Sequence, residues 1–392
     1  MTRFSRSGMA RATELTRSGN LAEATALINS MLRAKDAPSD DVTAHAGIAD
    51  KDVIEGTFTP AGTPPGTPAG DPQPKRPART RYKGLRETLR SIAAGGMPQK
   101  GVVIPAPLDL PAGAQFLSLI HDGPQGSRDY RLYVPARRVD GPRPLIVMLH
   151  GCTQSPEDFA AGTGMNALAE EAGYLVAWPA QPQGANAQKC WNWFRPEDQA
   201  RDRGEPAVIA GIIRDILRDH TADASRVYVA GLSAGGAAAA IMGAAYPDLI
   251  AAVGVHSGLP VGGAQDVMSA FSTMRNGPSG KERPSSVPVI VFHGLADRTV
   301  HPDNGTAVIA QTLRVHKGLK RVRNPGTSDQ GRSYRHACHD DKTGRSIAEH
   351  WEIEGAGHAW SGGQPGGSYT DPKGPDASRE MLRFFAQHRQ VQ

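Results

Sequence analysis

Three residues of this 392-residue chain have the types and order that acyl transfer needs: Ser233 in "GLSAGG", Asp297 in "HGLADRTVHP" and His358 in "GAGHAWSGG". A serine hydroxyl is a weak nucleophile until a base takes its proton, and that base needs an acid to orient it. The motif G-x-S-x-G decides little alone, because 45 of the residues are glycine and such a pattern arises by chance. Its surroundings must decide whether Ser233 is a nucleophile or merely caps a helix. The rivals are Asp303 for the acid, and His301 and His350 for the base. His301 sits beside the expected acid, and His350 falls inside a strand pattern.

From about residue 105, short β-branched runs alternate with helical stretches, which predicts a parallel α/β architecture. Strands are expected at 116–120, 130–135, 144–150, 174–179, 226–231, 251–257, 287–294 and 348–355. Helices are expected at 157–172, 206–219, 234–246, 305–315 and 376–388. Together they give one doubly wound, mostly parallel eight-stranded sheet, with ligands bound off the carboxyl ends of its strands. Ser233 follows "RVYVAG" and opens an alanine-rich helix, Asp297 follows "VPVIVFHG", and His358 follows "EHWEIEG". Each chemical residue therefore lies just past a strand, in the chain order expected of the α/β-hydrolase fold.

Gly231 and Gly235 relieve the crowding of a sharp strand-to-helix turn, and Gly236 with Ala237 to Ala240 lets the helix lie close to the sheet. The helix start then aims free N–H groups at developing negative charge. An oxyanion hole needs backbone amides in a tight turn. The expected donors are the amides of Ala234 and of Cys152, the latter in "LHGCTQ" directly after the strand at 144–150. The Cys152 side chain is either a small buried filler or a partner for Cys190, and the sequence leaves both open.

Residues 1–40 predict a helical hairpin, with Leu15, Leu21, Ala24, Leu27, Ile28 and Leu32 at helical spacing and Gly19–Asn20 at the break. One such unit cannot bury both faces, so it is expected to dock on a partner, a granule surface or another copy. Residues 41–104 form a Pro/Gly-rich and then basic linker, which leaves 105–392 as the catalytic domain. The net charge of +5 is matched by residues 75–90, which hold seven Lys or Arg against one Glu. Tyr82 is the one aromatic interleaved there, so a solvated tether is expected rather than a nucleic-acid site. No apolar run is long enough to span a bilayer. The basic N-terminus has no apolar stretch of signal-peptide type, and three scattered cysteines make no disulfide framework. These features predict a cytoplasmic protein, with an extracellular location as the alternative.

With these residues placed, the chain resembles the polyhydroxybutyrate depolymerase family of α/β-hydrolase esterases. The likeness runs through "LHGCTQSPEDFA", "CWNWF" (190–194), "VYVAGLSAGGAAAAIMGAAYPDLIAAVGVHSGLP", "VFHGLADRTVHP" and "GAGHAWSGG", over roughly residues 105–390. It implies Ser233 as nucleophile, Asp297 as acid, His358 as base and the Cys152 loop as part of the oxyanion hole. It also implies that Trp191, Trp193, Phe194 and Trp360 line a substrate groove, where their apolar faces would suit an aliphatic ester chain. No metal or organic cofactor is implied. The chain departs from secreted polymer-degrading members in showing no signal peptide and no appended polymer-binding segment. The expectation is therefore a serine esterase for hydroxybutyrate oligomers or polymer, with feruloyl or acetylxylan esters as the alternative. A serine peptidase, or a non-catalytic interaction protein built on residues 1–40, is the remaining rival.

Overall fold

The computed structural model describes residues 110–278 and 283–390. The expected hairpin at 1–40 and linker at 41–104 lie outside the described residues. The chain enters through an antiparallel hairpin, β1 (Gln115–Gly123) and β2 (Gly126–Val134). There follow β3 (Arg143–Leu149), helices α1 (Pro156–Thr163) and α2 (Met165–Ala172), β4 (Leu175–Pro179) and α3 (Gly204–Asp219). Next come β5 (Ala222–Leu232), α4 (Ala234–Ala245), β6 (Ala252–His256), α5 (Val267–Asn276), β7 (Val289–Gly294) and α6 (Asp303–Val315). The fold closes with β8 (Lys320–Thr327), β9 (Ser333–Asp340), β10 (Ser346–Ile353), the short β11 (Trp360–Ser361) and β12 (Thr370–Asp371), and α7 (Ala377–Phe385).

Ten strands form one sheet in the order β1-β2-β4-β3-β5-β6-β7-β10-β9-β8, with β4 through β10 of that order parallel and both margins antiparallel. Residues alternate across it with period two. Leu145, Val147 and Leu149 of β3 face a core shared with α3, α4 and α6. Ile146 and Met148 face the opposite core, with Phe159, Trp178, Tyr228, Phe384 and Phe385.

All eight expected strands are present, and the sheet exceeds the expected eight by β8 and β9. These two read "KRVRNPGT" and "SYRHACHD", and β8 is the outer strand of its margin. No residue of β8 is buried, so both its faces carry polar side chains, and as an edge strand it tolerates Pro325; its apolar signal vanishes. The single helix expected at 157–172 is two helices, because Gly164 adopts φ 63° between them and terminates α1. The unforeseen α5 starts at a capping box in which Asp266 and Ser269 satisfy each other's backbone amides.

The glycines of the β5–α4 turn position the chemistry. A Cβ at Gly235 would collide with the Leu149 carbonyl oxygen and lie 2.6 Å from that of His150, so α4 presses directly on the end of β3. Gly294 plays the same part for the two later loops, since a Cβ there would lie 2.6 Å from the Gly357 carbonyl oxygen. Gly235→Ala is therefore expected to destabilise the fold by about 3 kcal/mol or to prevent folding, because backbone rather than a movable side chain opposes the methyl group. Urea unfolding checks this, and a variant within about 0.5 kcal/mol of wild type contradicts the packing argument.

Candidate active site

Ser233 stands between β5 and α4 with φ 59° and ψ −119°, a conformation that L-residues avoid. Such strain persists only where the surroundings over-determine it. Here the Ser233 amide donates to the His256 carbonyl at 2.9 Å, and its own carbonyl accepts the Ala237 amide at 3.0 Å. The side chain thus stands at the head of α4, where the Ala234 amide has no intrahelical acceptor.

Asp297 lies in the loop after β7 with its side chain fully buried. One carboxylate oxygen accepts the amides of Thr299 (2.8 Å) and Val300 (2.9 Å). The other accepts His358 Nδ1–H at 2.7 Å and lies 3.5 Å from His293 Nε2. Burial by itself would raise the Asp297 pKa. The neighbouring His293 ring, whose Nε2 bonds the Val300 carbonyl at 2.9 Å, and the hydrogen bonds from His358 and the Val300 amide outweigh it and hold the carboxyl well below the usual range. Asp297 is therefore an anion that fixes His358 with Nε2 free to point elsewhere. The loops bearing the pair are laced together, since Leu295 and Ala296 donate to Ile353 and Ala356 at 2.9 Å. The other candidate acid and bases lie elsewhere. His301 and Asp303 pair with each other at the surface, and His350 is buried within β10.

The loop after β3 is clamped from three sides. Cys152 forms a disulfide with Cys190. Gln154 accepts the Gly151 amide at 2.9 Å and donates to Asp158 at 3.0 Å, and Asp158 in turn accepts the Ser368 amide at 2.8 Å. His150 bonds the Gly151 carbonyl through Nδ1 (2.7 Å) and accepts the Gln181 amide at Nε2 (3.1 Å). An imidazole nitrogen that accepts from an amide carries no proton, so His150 is the neutral Nδ1–H tautomer. Burial pushes its pKa down to about 4.

The aromatic residues divide differently from the expectation. Trp191 is fully buried, with Nε1–H donating to the His150 carbonyl at 3.1 Å, and Trp360 is 1% exposed, with Nε1–H donating to Ser378. Neither presents a free face to a groove, because each indole is enclosed by the core and has its N–H satisfied. Trp193 is 6% exposed and meets Phe194 edge to face at 5.9 Å, and Phe194 alone of the four is partly open. A cavity of about 540 Å³ lies beside the clamped loop, lined by Ser118, Ile120, Arg131, His150, Gln154 and Lys189 among others, and by none of Ser233, Asp297 and His358.

Three positions escaped the sequence reading. His256 and His293 end or nearly end strands and look like ordinary core residues in a linear pattern. Glu205 is buried in α3 and accepts both the amide and the side-chain N–H of Asn192 at 2.7 Å, which holds the 190–194 segment in place. It stands one residue before the helix expected at 206–219, so no sequence pattern singled it out. Among the described residues, one cluster offers metal-type donors, namely His336, Cys338 and Glu349. Glu349 already receives the Arg383 guanidinium through both oxygens, at 3.1 and 2.5 Å.

Residues 128–329 match the family described as esterase PHB depolymerase, slightly more than half of the chain. The chain belongs to the esterase PHB depolymerase family. This PHB depolymerase-family chain is 34% identical over 230 residues to a poly(3-hydroxyalkanoate) depolymerase C from Paucimonas lemoignei, covering 55% of the chain and 54% of that protein. It is 28% identical to a feruloyl esterase B from Thermothelomyces thermophilus, over 55% of the chain and 79% of that protein. An acetyl xylan esterase structure from Aspergillus awamori matches with a TM-score of 0.53 at 19% identity, over 70% of the chain and 99% of the other. That likeness establishes the α/β-hydrolase fold. The chain spans about half the length of the Paucimonas relative.

The buried histidines of this family member give its stability a definite pH dependence. Burial holds His150 and His388 at about 4, His350 at about 3 and His256 well below its ordinary value. Unfolded, each binds its proton near 6.5. Between about pH 6.5 and 4 the unfolded state therefore carries more protons, and stability present above pH 6.5 is lost as the pH falls. Each group contributes up to roughly 1.4 kcal/mol per pH unit. The urea midpoint is expected to drop steadily from about pH 7 to about 4.5, and a flat or rising midpoint over that interval contradicts burial of these rings as neutral species.

Proposed function

We propose that the protein is a serine esterase working through an acyl-enzyme, with Ser233 as nucleophile, His358 as base and Asp297 as the orienting acid. The observation that carries this reading is the 2.7 Å Asp297–His358 bond, set in the same strand-end region as a strained serine at a helix start. His358 Nε2 takes the Ser233 proton as Oγ attacks the ester carbonyl. The Asp297 carboxylate stabilises the imidazolium that results, without itself taking the proton. The tetrahedral oxyanion is received by the amides of Ala234 and Cys152. The amides of Gly151, Thr153 and Gln154 have acceptors of their own, which leaves that of Cys152 for an external oxygen. His358 then gives its proton to the leaving alcohol, and water, deprotonated by the same base, releases the acid and restores Ser233.

The substrates we propose are esters of short hydroxyalkanoates, as oligomer or polymer, in keeping with the family and with the name of the Paucimonas relative. Carbohydrate esters of feruloyl or acetyl type are the second reading, favoured by the Thermothelomyces relative and by the fold likeness to an acetyl xylan esterase. Phe194 is the one candidate groove aromatic retained here. Among the described residues no helix is long and apolar enough to cross a membrane. The Cys152–Cys190 disulfide favours an oxidising compartment, and hence the extracellular alternative over the cytoplasm.

Hydrolysis of p-nitrophenyl acyl esters tests the mechanism. Ser233→Ala is expected to lower kcat by about 10⁵-fold or more, and Asp297→Asn by on the order of 10⁴-fold through the wrong histidine tautomer. Wild-type turnover in the Ser233→Ala variant rejects the nucleophile. Hydroxybutyrate oligomers, feruloyl sugars and acetylxylan, compared by kcat/KM, separate the two substrate readings. For the compartment, thiol titration of the unfolded chain is expected to give one thiol without reductant and three with it, because Cys338 is the free cysteine. Three thiols in both cases remove the argument for an oxidising location.

A further inference from the structure

His256, the last residue of β6, is 1% exposed and touches both halves of the site. Its carbonyl oxygen accepts the Ser233 amide at 2.9 Å. Its ring Nε2 accepts the Ser361 amide, also at 2.9 Å, three residues beyond His358. The ring is stacked between Phe292 (5.8 Å between centroids, 10° between planes) and Trp360 (5.0 Å, 26°). Because the Ser361 amide can only donate, Nε2 is bare and the ring proton sits on Nδ1, 3.2 Å from Ser257 Oγ. One residue thus holds the nucleophile turn by its backbone and the base-bearing loop by its side chain.

We propose that His256 is a positioning residue that sets the distance between Ser233 and His358, an inference that rests on reading those two as nucleophile and base. The aromatic slot fixes the plane of the ring, and the plane fixes where Nε2 meets the 358–361 loop. A phenylalanine would fill the slot equally well but would leave the buried Ser361 amide unpaired, which the loop relieves by moving. Drift of a reacting group by about 1 Å is enough to lose on the order of 100-fold in rate. A residue that only filled space would be replaceable by any ring of its size.

The test compares His256→Phe, His256→Gln and Ser233→Ala in the full chain on one p-nitrophenyl ester, with melting followed alongside. His256→Phe is expected to lose about 10- to 100-fold in kcat with KM changed less than about twofold. His256→Gln, whose amide oxygen can stand where Nε2 stood, is expected to recover most of that loss. Wild-type kcat in His256→Phe overturns the proposal, as does a glutamine variant no better than phenylalanine when both melt as wild type. Should the phenylalanine variant not fold, ¹⁵N-histidine NMR of the wild-type protein decides: an unprotonated, hydrogen-bonded Nε2 on His256 is expected, and a protonated one overturns the proposal. If Ser233→Ala stays active, the nucleophile assignment fails instead, which keeps the two failures apart.

Discussion

The contact on which the site depends is the one between the first turn of α4 and the end of β3. Backbone meets backbone there, since Gly235 faces the carbonyl oxygens of Leu149 and His150 with no room for a methyl group. Gly236 is nearly as confined, because a Cβ there would lie 3.0 to 3.1 Å from the Gly231 and His256 carbonyl oxygens and the Gly258 Cα. This proximity forces the chain to reverse within one residue, and that residue is Ser233. Its positive φ costs on the order of 1–3 kcal/mol. The cost is borne because the strands on both sides, β3 and β6, are central in the sheet and almost wholly buried. A strained serine on an edge strand would relax by moving the strand.

Charge is handled with equal economy around the same turn. Asp297 is the anion of the group, and its partners are two imidazoles and two amides rather than an arginine or lysine. In the proposed mechanism, a permanent cation beside it would compensate the carboxylate before reaction and weaken its pull on a developing imidazolium. His256 and His150, behind the site, are kept neutral by burial. They supply donors and acceptors at strand ends without adding charge to a region of low dielectric, where an unmatched charge acts over a long range.

The parts legible in sequence are those tied to strand ends. Ser233, Asp297 and His358 each follow a strand-like run, and that rule is local enough to survive without coordinates. Eight of the ten strands in the main sheet carried the same signal. β8 and β9 did not, because β8 along its whole length and β9 over its first half bury neither face, so polar residues stand on both. The tryptophans failed for a different reason. An indole is apolar whether it lines a groove or fills a core, and Trp191 and Trp360 are placed by partners far off in the chain, the His150 carbonyl and Ser378 Oγ. His256 was illegible for the same cause, since its meaning comes from residue 361, which shares no pattern with it.

The two sides of the site are built by different means, and the difference bears on how the fold can vary. Ser233, Asp297 and His358 stand on turns fixed by the sheet itself, where glycines permit contact and main-chain hydrogen bonds close the gaps. The loop at 150–154 has no sheet to lean on and is secured by side chains instead: a disulfide, the Gln154–Asp158–Ser368 relay and the His150 ring. The segment that carries Cys190 is anchored in turn by Glu205 on α3, through Asn192. Substitutions of the glycines in the sheet turns therefore act through folding, whereas substitutions in this outer clamp can move an amide by a fraction of an ångström and leave the sheet intact. The clamp borders both the 190–194 segment that carries Phe194 and the cavity beside β1 and β2, so such a shift would be felt in both.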